Sequence, residues 1–187
     1  MSTAVYEYKR AKTRQRGVAA VELALVAIPF FLMLLGAIEF GRLMYVWATV
    51  QEVTRNAARQ VVVTDFNNST AIAAIKNSAV FRSTAGSLPA APEITNAQVN
   101  VRYLNSLGAV SSPEPLGPAD NIAACLDSTR TGACIRYVEV CISTDNTCSP
   151  SGAISFSPMI GFFPALSALT IPLSTVRMPA ESLGFVP

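Results

Sequence analysis

The polarity pattern changes character twice along the chain. From Leu23 to Ile38 sixteen residues pass without a charge, and Val18 to Val21 extend that run upstream with only Glu22 between. A helix over Val18–Ile38 is about 30 Å long at 1.5 Å per residue, enough to cross a hydrocarbon core. Past Arg42 polar residues return, but the helical period continues. Leu43, Val46, Val50, Val53, Ala57 and Val61 recur at spacings of three or four, with Gln51, Glu52, Arg55, Asn56, Arg59 and Gln60 between them. One helix from Val18 to about Val63 is predicted: a span over 18–40, then a stalk over 41–64. The apolar face of that stalk needs cover, either from the chain's own domain or from neighbouring helices.

Shorter periods follow. Asn67-Asn68-Ser69-Thr70 breaks the long helix and caps a second one, with Ile72, Ile75, Ala79 and Val80 facing inward. Gly86, Pro89 and Pro92 end it. Val99, Val101 and Tyr103 alternate with Asn100 and Arg102, a half-buried strand. Ser111 to Pro118 is a loop. Ile135 to Ser143 is the clearest strand, with Val138, Val140 and Ile142 on one face and Ile135 and Tyr137 on the other. Ile171 to Met178 is a third. Helices before strands give an α+β class: a long N-terminal transmembrane helix packed on a small antiparallel sheet, with 65–187 as the domain beyond the membrane.

From Asn146 to Val176 there is no charge. Pro158, Gly161, Pro164 and Pro172 break this stretch, so a second spanning helix is not expected. It is predicted to be an irregular connection over the sheet. Phe156, Met159, Ile160, Phe162 and Phe163 either fill the core or leave an exposed apolar patch.

Charge orients the chain. Lys9, Arg10, Lys12, Arg14 and Arg16 precede the span against Glu7 alone, so the first seventeen residues carry +4 of the net +2. The positive-inside tendency places the N-terminus in the cytoplasm and the domain outside. Without residues 1–17 the remainder is near neutral and has no basic stripe, which argues against nucleic-acid binding. A carboxylate within an apolar span is costly and points to function. Glu22 follows the Gly17–Val18 junction by five residues. If the chain is cut there, Val18 gains an α-ammonium that a neighbouring subunit's Glu22 can pair with. The alternative places Glu22 at headgroup depth. Glu39 is expected at the outer interface, with Arg42 one turn on as a partner. Pro29 lies mid-span and removes one helical hydrogen bond. Tyr45 and Trp47 fall at the depth of an aromatic belt.

There is no histidine, which excludes Ser-His-Asp and Cys-His catalysis and His-ligated metals. The acids of the domain are scattered, and no nucleotide or calcium motif occurs. No catalytic activity and no cofactor are expected. Cys125, Cys134, Cys141 and Cys148 lie within 24 residues. On the exported side four cysteines suggest two disulfides, in any of three pairings. Cys134 and Cys141 differ by an odd number within one extended stretch and face opposite sides, which disfavours their bond. Cys125–Cys134 and Cys141–Cys148 are preferred, each closing a short loop worth about 2–3 kcal/mol.

The basic leader, Gly17 and Glu22 together resemble the processing signature of type IV pilin-like precursors. More specifically, Val21-Glu22, Pro29, Ile38-Glu39-Phe40-Gly41-Arg42 and Ala57-Ala58-Arg59 match, in order, the N-terminal motif of the TadE-like family. The resemblance implies a minor pilin-like (pseudopilin) component of the tight-adherence (Flp) pilus machinery in a bacterial inner membrane. It implies cleavage after Gly17 by a prepilin peptidase, with other pilins and inner-membrane assembly proteins as partners. A cleaved secretory signal fits poorly, since the apolar core is longer than a typical one. An uncut signal anchor bearing a binding module is the competing reading.

Overall fold

The computed structural model describes residues 16–161 and 164–185. The leader assigned to 1–17 therefore lies almost wholly outside the described residues, as do Phe162 and Phe163. The chain separates into two compact units, Met1–Ile38 and Glu39–Pro187.

Helix α1, Arg16–Val61, contributes to both. It is long because nothing interrupts its apolar period and Pro29 alone is foreign to it; the helix continues through that residue. In the first unit its side chains are largely exposed: Leu23 is 71% accessible and Met33 77%. In the second unit the stripe Leu43, Val46, Val50, Val53, Ala57 and Val61 is buried. The cover that stripe requires is intramolecular: it shares one core with Val99, Val138, Val140, Ile142 and Phe156. Residues 41–64, read from sequence as a stalk, thus form the helical layer of the second unit.

Helix α2, Ser69–Ala79, begins where Asn68 accepts a hydrogen bond from the Ala71 N–H, a side-chain cap of the kind its sequence suggests. Ile75 and Ala79 face the core, with Val80 just beyond. A hairpin of β1 (Ser87–Leu88) and β2 (Ala91–Thr95) follows. The main sheet is antiparallel, β3 (Val99–Leu104), β4 (Tyr137–Ile142) and β5 (Thr175–Pro179), with β4 central. Helix α3, Pro118–Leu126, lies between β3 and β4 in sequence. The class is α+β.

Strand β4 is covered on both faces. Val138, Val140 and Ile142 enter the core. On the opposite face Glu139 stands directly across from Arg102 on β3 and Arg177 on β5. Each arginine bonds a different carboxylate oxygen at 2.9 Å. This charged rung fixes the register of all three strands, since a slip of one residue would put Glu139 in the core.

The third predicted strand starts later than expected, at Thr175, because Thr170 and Ile171 pair with Ser155 and Ile154 instead and Pro172 has no N–H to give a ladder. The segment before it still follows α1. Ile160 donates to Glu39 at 2.9 Å, Thr54 shares a 2.8 Å hydroxyl contact with Ser174, and Leu183 donates to the Val62 carbonyl at 3.1 Å. Ile160, Ser174 and Leu183 thus meet α1 and the turn after it at Glu39, Thr54 and Val62 in turn.

Candidate functional site

Two groups of residues singled out by sequence lie on α1. The first is at its beginning. Gly17 and Val18 are in the opening turn, and Glu22 is exposed. Among the described residues Glu22 makes no ion pair. Among the described residues a Cβ placed on Gly17 meets nothing within 4 Å, so packing against them does not require glycine there.

The second group is at the start of the other unit. Glu39 and Arg42 lie one turn apart, and Arg42 Nε stands 3.4 Å from Glu39 Oε2. The expected pair is present, but its setting differs from an open membrane interface: Glu39 is 1% accessible. A carboxylate so enclosed requires partners, and it has two. Its Oε1 accepts from the Ile160 N–H, and Oε2 faces Arg42.

Arg42 gathers the rest. Its Nη1 donates to the Ala90 carbonyl at 3.0 Å and to Glu93 Oε1 at 3.3 Å. Its Nη2 donates to the Ser157 carbonyl, and its guanidinium lies 4.2 Å from the Phe156 ring centroid. Ala90 holds the left-handed conformation, φ 60°, in the β1–β2 turn that supplies its carbonyl. One planar cation thus joins α1, the hairpin and the 156–160 segment, using the fork geometry that lysine lacks. Glu93 Oε2 is buried without a partner among the described residues. We call this arrangement the clasp.

Glu39 and Arg42 were visible in the sequence as a motif. Ala90, Glu93, Phe156, Ser157 and Ile160 were not visible as their partners. They lie 48 to 121 residues away, and no local pattern marks such contacts. Phe156 is buried while Met159 is 75% accessible, so the apolar segment divides between core and surface. Trp47 packs on the core, its Nε1 enclosed without an acceptor among the described residues. Tyr45 is 41% accessible.

The disulfides are Cys125–Cys134 and Cys141–Cys148, the preferred pairing. The first joins α3 to the lead-in of β4. Arg130, inside that loop, forms a two-pronged pair with Asp120 at 3.0 Å per arm. The second closes a turn organised by Asp145, which accepts from the Ser143 hydroxyl at 2.8 Å and the Thr147 N–H at 3.1 Å. A Cβ at Gly152 would run into the Ser143 hydroxyl and the Asp145 carboxylate, so any larger residue there must displace this hydrogen-bonded pair. These bonds hold the carboxyls of Asp120, Asp127 and Asp145 below their ordinary value. The Arg130 side chain is the chief cause for Asp120, the Thr129 side chain for Asp127 and the Ser143 hydroxyl for Asp145. Burial raises the Tyr103 phenol well above its usual range.

Among the described residues no group of three or more His, Cys, Asp or Glu side chains could hold a metal ion. Five surface clefts among the described residues each bring at most one carboxylate to their walls.

The described residues comprise one apolar helix that fits a single-pass membrane anchor and a disulfide-braced α+β unit. Among the described residues α1 alone is long and apolar enough to cross a membrane. The family model of TadE-like proteins matches residues 17–59, nearly all of α1 and less than a quarter of the chain. No curated protein matches the chain, and no solved structure does.

Proposed function

We propose that this chain is a minor pilin-like subunit of tight-adherence pilus biogenesis, cut after Gly17 and held in the bacterial inner membrane by α1. Its N-terminus is cytoplasmic and its α+β unit extracytoplasmic. Its role is architectural, without catalysis or cofactor. Its partners are a prepilin peptidase, other pilins and the inner-membrane assembly proteins.

The observation that carries this reading is the order Gly17, Val18, Glu22 at the head of an exposed apolar helix that matches the TadE-like family. Glycine at position 17 answers no packing need among the described residues. Recognition by a peptidase gives it a purpose. A carboxylate in an apolar span is expensive unless it meets a counter-charge. The α-ammonium released at Val18 of an adjacent subunit is such a charge.

The test is the N-terminal sequence of the protein isolated from membranes, with and without the cell's prepilin peptidase. The expected result is a start at Val18 that depends on the peptidase. A start at Met1 or Ser2 in both cases would overturn the processing and leave an uncut anchored module.

A further inference from the structure

The main sheet has two edges, and only one of them is closed. On β3 the Ser111 N–H donates to the Tyr103 carbonyl at 2.9 Å and Leu104 pairs with Val110, so residues 109–111 cover the outward side. Strand β5 has no such cover. The Ile142 N–H donates to the Ser174 carbonyl and the Ala180 N–H to the Arg136 carbonyl, so the even-numbered residues of β5 are those that bond β4. Thr175, Arg177 and Pro179 turn their backbone groups the other way, and among the described residues no strand lies beside them. Pro179 has no N–H to offer, which blunts one end of this edge and leaves the rest open.

Beside the edge runs a groove against α1. Trp47, Gln51 and Arg55, each one turn from the next, form one wall, and residues 172–176 form the other. No aspartate or glutamate lines it. Arg55 makes no ion pair among the described residues. On the other face of the sheet Arg177 bonds Glu139, yet its side chain is still 47% accessible. Side chains alternate along a strand. A strand laid here would set one row of side chains against Trp47 and Arg55 and the other row beside Arg177.

We propose that β5 takes an extended acidic segment of a partner protein as a fourth strand, seated between β5 and the Trp47–Arg55 wall. Backbone bonds to the open edge supply the affinity, and the alternating side chains supply the choice of partner. Carboxylates suit both rows, because a guanidinium flanks each and carboxylates bond guanidinium groups strongly. A second copy of this chain suits the edge less. Its β3 edge is closed. Antiparallel pairing of β5 with β5 over its full length would set Arg177 against Arg177 and put Pro179, which cannot donate, opposite Thr175. The inference concerns Glu39–Pro187 alone and is independent of cleavage at Gly17.

The test titrates the full chain, in neutral detergent micelles, into a short fluorescein-labelled peptide that alternates valine and glutamate, with binding read by fluorescence anisotropy. Two peptides serve as comparisons: one alternating valine and lysine, and the valine–glutamate peptide N-methylated at every residue, which cannot donate to a strand. The acidic peptide is expected to bind at least about tenfold tighter than either. Arg55→Glu, on the exposed surface of the helix, is expected to weaken it by about fivefold or more while the circular dichroism spectrum stays unchanged. Thr175→Pro removes an outward N–H, keeps the ladder to β4, and is expected to weaken it as well.

Equal binding of the N-methylated peptide would reduce the effect to charge attraction and overturn strand addition. Equal binding of the lysine peptide, or an unchanged affinity in Arg55→Glu, would overturn the acidic occupant. Absence of binding by all three peptides would overturn the site and leave the processing at Gly17 untouched. Dimerisation of the chain that excludes the peptide and is lost in Thr175→Pro would assign the edge to a second copy and overturn the partner.

Discussion

Arg42 is where separate parts of the second unit converge. Its four hydrogen-bonding partners come from α1, the β1–β2 hairpin and the 156–160 segment. Replacing it by methionine keeps the stem and removes the charge, leaving Glu39 and Glu93 buried without a cation. Breaking such a set costs about 3–5 kcal/mol. Arg42→Met is therefore expected to lower the urea midpoint of the lipid-held protein strongly. Glu93→Gln should cost less, because Arg42 keeps Glu39. Equal midpoints for wild type and Arg42→Met would mean that the clasp contributes nothing net. Half of this site was legible in the sequence. A glutamate and an arginine three apart on a helix face announce themselves. Their burial did not, because it depends on a hairpin and on the 156–160 segment, which reach them from far along the chain.

At the scale of elements, legibility followed the strength of the period. Helix α1 has a stripe that repeats from Leu43 to Val61, and β4 has three alternating apolar positions; both were predicted within a few residues. Helix α3 has nine residues opening on proline and was not predicted. Strands β1 and β2 were also missed: one is two residues long and the other contains Pro92, which argues locally against a strand. The disulfides were found by loop length and strand parity, two constraints that act locally. Gly41 is the element-scale puzzle, a glycine inside a helix where a Cβ would meet nothing within 4 Å. Glycine there costs up to about 1 kcal/mol relative to alanine. Gly41→Ala is expected to stabilise the isolated subunit by about 0.5–1 kcal/mol in thermal or urea melts. A loss instead would reveal a close approach to Gly41 that the subunit alone does not show.

At the scale of the whole molecule, three carboxylates in the loops around the disulfides add to its acid sensitivity. Asp120, Asp127 and Asp145 have folded values depressed below 3.8. A depressed carboxylate contributes stability that is present above its unfolded value and lost as pH falls through the folded one. Stability measured from pH 7 downward should thus stay level with respect to these groups until about pH 4–5 and then decline. Asp145→Asn should blunt that decline. A fall that begins above pH 6 would point to some other group.

Helix α1 has a consequence for modularity. The family match ends at Arg59, close to the end of the helix, so it looks like a detachable anchor. Yet Leu43, Val46, Val50, Val53 and Ala57, all within the match, line the core of the second unit. The shared segment cannot be transplanted as a cassette onto an unrelated domain, nor exchanged freely between relatives. Its inner face must remain complementary to the sheet that it meets. A graft that preserves only hydrophobicity and length keeps the anchor and loses the fold.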